Sequence, residues 1–561
     1  MKRSIPIAVI VPTLMLVYIA LVDTARAQLS QYEYVTAFMQ NQGGSEHEND
    51  FELRIAAPAG TTVRLSQRAL SITFDTTVPA EGLLSLRLVS GDLSMGQPSV
   101  ECSDIPAPQS GMAVEITTDQ RAEVIAYEHK LWSTDSWEVL PREVLGTNYY
   151  VMSYKPSIYP GGNSTPGEFA VIGLADSSHI TVTLPTDSKA LPKGSTTLPI
   201  NAGDVLIVQS KVDDSTSDLT GSKISSDRPV AVLAGHVRTA IPSYAKNFGS
   251  QTGSRDFLCE QMLPVSYWQP TAIATRTSSS TLPDLVRIIS GVDGNTIKVD
   301  GITVGIFNAG QFYEIPKLDS YAVIKGSGPL LAVQFMHSSL DGNNNNGTPY
   351  GDPSMIVCPP LGYFFHEQHL IAESNTAYTS QFVSIVASDT DISKLTFDGH
   401  PIPATDERSV EGSGYTVADI PVTQGDHLIG SDAVKYSARV YGFGPIDSYG
   451  YALQAYHTLE ESVPEEHTIS SEDLILQDPV PNPSGGADRT ICVRYTCTTQ
   501  GSLQWQLVDG LGRVICSGSV QATGGNGVID VANSSLLANG TYTVLVRSQT
   551  TTCTKQIVVA K

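Results

Sequence analysis

Charge is what this sequence has least of. Only 16% of its 561 residues are Asp, Glu, Lys or Arg, against about 25% in an ordinary soluble domain. The shortage falls on the basic side: 34 Lys+Arg face 57 Asp+Glu, for a formal charge of -23, and there is no basic block. Attraction to phosphate needs clustered Lys and Arg, so nucleic acid and an anionic membrane surface are excluded as partners. Helical periodicity is nearly absent beyond Ala27, and no later apolar run is long enough to span a bilayer. Seven cysteines are too few and too scattered for a dense disulfide framework. Cys102, Cys259 and Cys358 lie far apart, whereas Cys492, Cys497, Cys516 and Cys553 crowd near the end. Four cysteines allow three pairings, and the sequence does not choose among them.

Motifs for chemistry are equally scarce. No CxxC pair or Cys/His cluster at zinc spacing occurs, and no GxSxG elbow or phosphate-cradling Gly-rich loop. His366-Glu367-Gln368-His369 has its histidines three apart, not four, in an apparent strand. They are expected on opposite faces, so this is no zinc protease motif. Asp341, Asn343, Asn345 and Asp352 occupy the first, third, fifth and twelfth places of a calcium loop. The sixth is Asn346 instead of Gly and the twelfth is Asp instead of Glu, so a polar turn is the first reading and calcium the second. No pair of acids stands out for glycoside cleavage. Trp132, Trp137 and Trp268, with Tyr149, Tyr150 and Tyr154, suggest a sugar-stacking platform, but Trp137 and Trp268 lie in the repeated third element and are expected in packing, which leaves Trp132 as the best of them for a surface contact. No catalytic, cofactor-binding or metal-binding residue is assigned, and no cofactor is expected.

What is present begins with an address. Residues 1–27 carry Lys2 and Arg3, an apolar run from Ile5 to Val22 interrupted by Pro6 and Pro12, and Ala25-Arg26-Ala27. That is the three-part layout of a signal peptide, with cleavage expected after Ala27 and no transmembrane segment left behind. Short Val, Ile, Thr, Tyr and Phe runs broken by Gly, Pro, Asn and Asp fill the rest, which predicts an all-β protein.

The runs repeat. FAVIGLADSSHITVTL (169–184), LVRIISGVDGNTIKV (285–299), FVSIVASDTDISKLTF (382–397) and a looser FELRIAAPAGTTVRL (51–65) share one layout, strand, polar turn, strand, and are expected to be hairpins. A second element follows each: RAEVIAYEHK (121–130), RPVAVLAGHV (228–237), GPLLAVQFMHS (328–338) and VKYSARVYGFG (434–444). A third comes next in three copies: WEVLPREVLG (137–146), FLCEQMLPVSYW (257–268) and MIVCPPLGYF (355–364). Four units therefore fill 28–457. Their length fits tandem β-sandwich-like modules, with a β-propeller as the alternative. Residues 458–474 read as an acidic linker. From 475 to 561, six short runs joined by Gly-rich turns predict a small C-terminal β-sandwich.

LGTNYYVMSY (145–154), DLTGSKISSDRPVAVLAGH (218–236), EQMLPVSYW (260–268) and GDPSMIVCPP (351–360) resemble, in this order, the amino-terminal domain of the IgGFc-binding protein family. The resemblance covers roughly residues 40 to 450 and implies a large secreted or surface protein without catalytic residues. Antibody Fc binding belongs to one member of that family and is not carried over. Two cysteines usual in the family are replaced here, one by Arg255 and one by Val237 or Arg238, which implies that their crosslink is missing. The end of the chain resembles a type A sorting domain of the type IX secretion system. The matching residues are Pro481, Asn482, Pro483, Asp509, Gly512, Arg513, Gly540, Tyr542 and Lys555. That resemblance implies passage through the periplasm to the outer cell surface or the medium, with the type IX machinery as a partner. The combined expectation is a non-enzymatic binding or adhesion protein with an extracellular protein or glycan as ligand. A structural surface-layer or matrix component, and an extracellular hydrolase, are the alternatives.

Overall fold

The computed structural model describes residues 31–42, 50–88, 99–158, 164–242, 254–277, 283–339, 351–361, 364–374, 378–445, 447–454, 474–476, 490–509, 514–533, 537, 539–547 and 552–559. The segment Met1–Ala27 and most of 458–474 lie outside them. The chain divides into two compact units, Met1–Leu459 and Glu460–Lys561. Among the described residues nearly all regular structure is strand, with only short 3-10 turns besides.

The four repeats are visible as four modules. The strands used below are β1 (Asp50–Ala56), β2 (Glu123–Lys130) and β3 (Ser133–Glu138) in module 1. Module 2 has β4 (Gly146–Tyr150), β5 (Gly167–Gly173), β6 (Ser178–Leu184), β7 (Lys223–Thr239) and β8 (Asp256–Gln261). Module 3 has β9 (Asp284–Ser290), β10 (Asn295–Val299), β11 (Tyr321–Phe335) and β12 (Met355–Cys358). Module 4 has β13 (Phe364–Ala372), β14 (Ser380–Ser388), β15 (Gly425–Gly444) and β16 (Asp447–Leu453).

The expected hairpins are not hairpins. β5 pairs with Val230–His236, the second half of β7, while β6 pairs with Lys223–Ser226, the first half. β9 and β10 divide β11 in the same way, at Leu330–Phe335 and Ile324–Gly326. The repeated strand–turn–strand is therefore a corner that carries the chain from one sheet to the other, and the long strand belongs to both sheets. The crossing points hold Asp227-Arg228-Pro229 in β7 and Gly326-Ser327-Gly328-Pro329 in β11. Proline lacks the N–H that a continuous ladder requires, and a strand that changes sheets has no ladder at the crossing. Modules 2, 3 and 4 are thus each built around one bent strand, a sandwich-like design, whereas in module 1 two separate strands, Val114–Thr118 and Glu123–Lys130, take its place in two four-stranded sheets.

One sheet from each module turns its last strand toward a common axis. β3 lies beside β8 and β16, and β12 lies beside β8 and β16 as well, so four inner strands close a ring. This arrangement is the propeller-like feature, with one inner sheet per module. The sequence distinguishes the two sheets. β5 (GEFAVIG) is buried at every position, as suits a strand covered on both faces, whereas β6 (SHITVTL) alternates. Buried arginines tie neighbouring modules together. Arg54 of β1 meets Glu373, Arg287 of β9 contacts Asp218 at 2.9 Å, and Arg439 of β15 donates to Gln334 at 2.5 Å.

The second unit contains β17 (Leu474–Leu476), β18 (Thr490–Asp509), β19 (Val514–Asn533), β20 (Gly540–Arg547) and β21 (Thr552–Val559). Four of the six expected runs have fused in pairs into β18 and β19, whose register shifts between Cys497 and Gln500. One half of β18 takes β17 as partner and the other takes β20. Ile491, Val493, Leu507, Val544, Val546 and Ile557 fill its core.

Gly235 sits where β7 passes the inner strand β8, and a methyl group there would overlap the Leu258 carbonyl. Backbone atoms on a ring strand have no room to withdraw. Gly235→Ala is expected to destabilise the first unit by about 1–3 kcal/mol, measurable as a lowered urea midpoint with an unchanged slope.

Candidate functional site

The inner edges of β3, β8, β12 and β16 present N–H groups that no further strand can pair. Buried and unpaired, each would cost about 1–3 kcal/mol. Acidic side chains supply the acceptors. Asp135 of β3 accepts N–H donations from Ser136 (3.0 Å), Cys259 (3.1 Å), Met355 (3.3 Å) and Gly450 (3.3 Å), and a hydroxyl donation from Ser354 (2.9 Å). One carboxylate thereby touches all four modules. Glu260 of β8 accepts from Val357 at 3.0 Å and Ala452 at 3.2 Å. Glu138 accepts from the Gln454 N–H, and Asp256 from Thr134 and Phe257. All four acids are fully buried. Burial pushes the carboxyls of Asp135, Asp256 and Glu260 well above the usual range, against the opposing pull of the N–H donors. The arrangement fastens strands.

At one end of the axis three aspartates come together, each near the start of an inner strand: Asp256, Asp352 and Asp447. The Asp352 N–H donates to Ser448 Oγ at 2.7 Å, and Asp447 receives the Tyr378 hydroxyl at 3.4 Å, with His129 3.9 Å away. Burial raises Asp352 to about 8 and Asp447 to about 7; the Asp447 charge adds to the rise at Asp352, and both charges add to it at Asp256. Among the described residues no group of three or more His, Cys, Asp or Glu has the geometry to hold a metal ion. Of the calcium-loop reading, only Asp352 is described, and it belongs to this buried cluster. Asp341, Asn343 and Asn345 lie outside the described residues.

The other residues singled out in the sequence fall as follows. Trp137 and Trp268 are buried, as expected for packing, and Tyr149, Tyr150 and Tyr154 are buried with them. Trp132 is 55% exposed, in the short turn between β2 and β3, with a left-handed φ of 60°. Its carbonyl accepts from Arg238 at 2.9 Å. The same guanidinium reaches the Arg255 carbonyl at 3.3 Å, so two of the positions where the family's cysteines were expected are neighbours here, joined by a hydrogen bond. His369 lies on β13, 3.0 Å from Asp426, on a strand as expected; the His366 side chain is outside the description. Cys102, Cys259 and Cys358 are buried free thiols.

In the second unit, Pro481, Asn482, Pro483, Gly512 and Arg513 lie outside the described residues. Asp509 ends β18 and pairs in register with Tyr542 on β20, which Gly540 opens. Lys555 is opposite Val544 on β21, and Tyr542 is buried in the core. The structure thus brings Asp509, Gly540, Tyr542 and Lys555 onto neighbouring strands of one sheet. The axial acids were missed in the sequence. Their one signal was an acid inside or opening an otherwise uncharged inner strand, as in STDSWE, DFLCEQ and DSYGYAL.

The raised carboxyls fix how stability changes with pH. The folded aspartate cluster holds protons that the unfolded chain releases above about pH 4. Its contribution is therefore complete below that point and is lost as pH rises through 7 to 8. The melting temperature of the first unit is expected to fall from about pH 5 to about pH 8, and Asp352→Asn to flatten the slope in a thermal scan at stepped pH.

Comparison with known proteins agrees with this anatomy. The pattern described as IgGFc binding protein matches residues 135–442, and that described as a secretion system C-terminal sorting domain matches 480–560. The IgGFc-binding protein of Homo sapiens is 27% identical over 363 residues, which is 61% of this chain but only 6% of the human protein. Among solved structures, a biofilm-associated protein BSP domain aligns over 75% of this chain and 96% of its own, at 8% identity and a TM-score of 0.12. A tetra-tandem repeat from the extending region of a large adhesion protein aligns over 78% and 94%, at 12% identity and a TM-score of 0.13. Superpositions that poor say nothing of shared function. The sorting domain marks the protein for export to the outer surface or for secretion, and no described helix is long and apolar enough to cross a membrane. The match over 135–442 takes in more than half of the sequence, and the chain belongs to the IgGFc binding protein family.

Proposed function

We propose that this protein is a non-enzymatic binding protein, exported by the type IX secretion machinery and attached at or released from the outer cell surface, where it engages an extracellular protein or glycan. The observation that carries this reading is the commitment of the axial acids. A hydrolase built from different modules would need two carboxylates free to exchange protons with a substrate, about 5 to 10 Å apart in a cleft. Of the acids that the ring brings together, Asp135, Asp256, Glu260 and Glu138 accept backbone N–H groups, and Asp352 and Asp447 lie with Asp256 in a buried cluster, all of them away from solvent. A rigid ring with loops around its rim is a scaffold for recognition. Trp132, held half-exposed in a left-handed turn, is the kind of aromatic that rim contacts use.

Family membership supports binding as the activity, and the human relative's name specifies antibody Fc as one ligand of that protein. The small share of the human protein covered here leaves Fc as one candidate among several. Residues 481–483 and 509–555 are assigned the role of sorting signal, with Tyr542 in its core and Lys555 on its last strand.

Two measurements test the proposal. The full chain is expected to bind members of a glycan and protein array that includes mucins and Fc at micromolar concentration. No binding anywhere on it would favour a structural matrix component. Deleting 475–561 is expected to leave the product inside the cell envelope, as read by fractionation, and unchanged arrival outside would refute the sorting role.

A further inference from the structure

The repeat offers an internal comparison at the junctions between modules. In the third element, Arg142 follows Leu140-Pro141 in module 1, and Val265 follows Leu263-Pro264 in module 2. In the corner that each of these faces, Leu174 of module 2 corresponds to Gly291 of module 3. At the first junction a half-exposed arginine bridges the groove. The guanidinium of Arg142 donates to the Leu174 carbonyl at 2.5 Å and meets Glu33 on strand Tyr32–Thr36 at 2.5 Å. At the second junction both plugs are gone. Val265 is short and uncharged, and Gly291 has no side chain; a methyl on it would come within 3.2 Å of Val265 Cγ1.

What remains is a cavity of about 470 Å³, lined by Gly146, Thr147, Asn148, Tyr150, Lys223, Pro264, Val265, Ser266 and Gly291. That lies within the range of small-ligand sites. Lys223 stands opposite Tyr150, and Ser225 opposite Asn148, in the β4–β7 ladder. Asn148, Tyr150 and Lys223 therefore share one face and form one wall. The 3-10 turn Val265–Tyr267 forms the other. The Tyr150 ring is braced by Trp268, with centroids 6.1 Å apart.

The chemistry of this lining is specific. Thr147, Ser266 and Asn148 offer neutral donors and acceptors, Pro264 and Val265 offer an apolar face, and Lys223 offers one cation. Among the described residues Lys223 makes no ion pair, in a protein with a large excess of acids. Asp293, whose charge is felt at the Tyr150 hydroxyl, accepts the Ala309 N–H at 3.0 Å. A single ammonium beside a hydroxyl- and amide-lined cleft matches a sugar that carries a carboxylate.

We propose that the cleft between modules 2 and 3 binds a carboxylated sugar residue, a uronic or nonulosonic acid, with Lys223 pairing its carboxylate. The inference rests on the reading of the protein as an extracellular binder and names a ligand class for it. Methyl β-D-glucuronide and methyl β-D-glucoside, which differ only in the carboxylate, are the probes, titrated into the full chain by calorimetry or ligand-observed NMR. The glucuronide is expected to bind at least about tenfold more tightly. Lys223→Ala, a change at an exposed side chain, is expected to remove that preference and Lys223→Arg to retain it. Val265→Arg, which copies the plug of the first junction, is expected to abolish binding of both glycosides. Equal binding of the two probes would overturn the proposal, as would a preference that survives Lys223→Ala or tighter binding of acetyl-Gly-Gly than of the glucuronide. Array binding that persists in Lys223→Ala while no glucuronide binds would sink the cleft and leave the adhesive reading standing. If Val265→Arg does not fold, the two Lys223 variants decide alone.

Discussion

Four sheet edges that converge away from water must find acceptors for the N–H groups they bring with them. A wider ring would admit solvent, and a narrower one has no space for another strand. Here the acceptors are carboxylates, and the central one is Asp135, which receives a donor from every inner strand. Ionised, it gains charge-assisted hydrogen bonds; buried, it loses hydration. Burial dominates at Asp135 and Glu260, so both carboxyls sit well above their usual range even with several donors attached. The ring therefore depends on acids that would be costly alone and become tolerable only when all four modules are in place. No module can satisfy its own inner edge, which makes the first unit cooperative across its repeats.

The buried arginines follow the same logic one layer out. Arg287 lies over the Tyr154 ring at 4.5 Å, donates to the Ser153 carbonyl at 2.8 Å and pairs with Asp218, all contributed by the preceding module. Arg439 reaches back to Gln334, and Arg54 closes the circle from module 1 to Glu373 of module 4. Each is almost fully buried, so each needs its partner module to be docked before its charge is tolerable. Polar groups thus set which module sits beside which, while Phe169, Ile172, Val232 and their counterparts supply the apolar drive.

The sequence showed local structure well and partnership badly. Strand positions, the fourfold repeat and the separate β-rich tail were all legible, because alternation and turn residues are local signals. FAVIGLADSSHITVTL reads as a hairpin for the same reason: its two strands and polar turn are those of a hairpin. What makes it a corner is the bent strand Lys223–Thr239, well downstream, which takes one half as partner in each sheet. The one local hint was the contrast between an unbroken apolar run and an alternating one. The axial acids were invisible on different grounds. Asp135, Asp256, Glu260 and Asp352 are scattered across three modules, and an acid in a strand ordinarily marks the solvent face. In the tail, Asp509, Gly540, Tyr542 and Lys555 were found through a resemblance, and only the fold places them on neighbouring strands.

This division of labour says where function can vary. A change in the axial column disturbs an acceptor shared by several modules, so the axis has little freedom to acquire a ligand. The junctions have no such duty. Arg142 bridges one to the Leu174 carbonyl, Val265 and Gly291 leave the equivalent one open, and the corners of modules 2 and 3 that face them are built alike. A repeat protein that satisfies its backbone centrally can alter a junction by a pair of side chains without disturbing the ring, because neither supplies an acceptor to an inner strand. Recognition in such a molecule belongs at its rim and between its modules, where sequence is free of the demand that holds the centre closed.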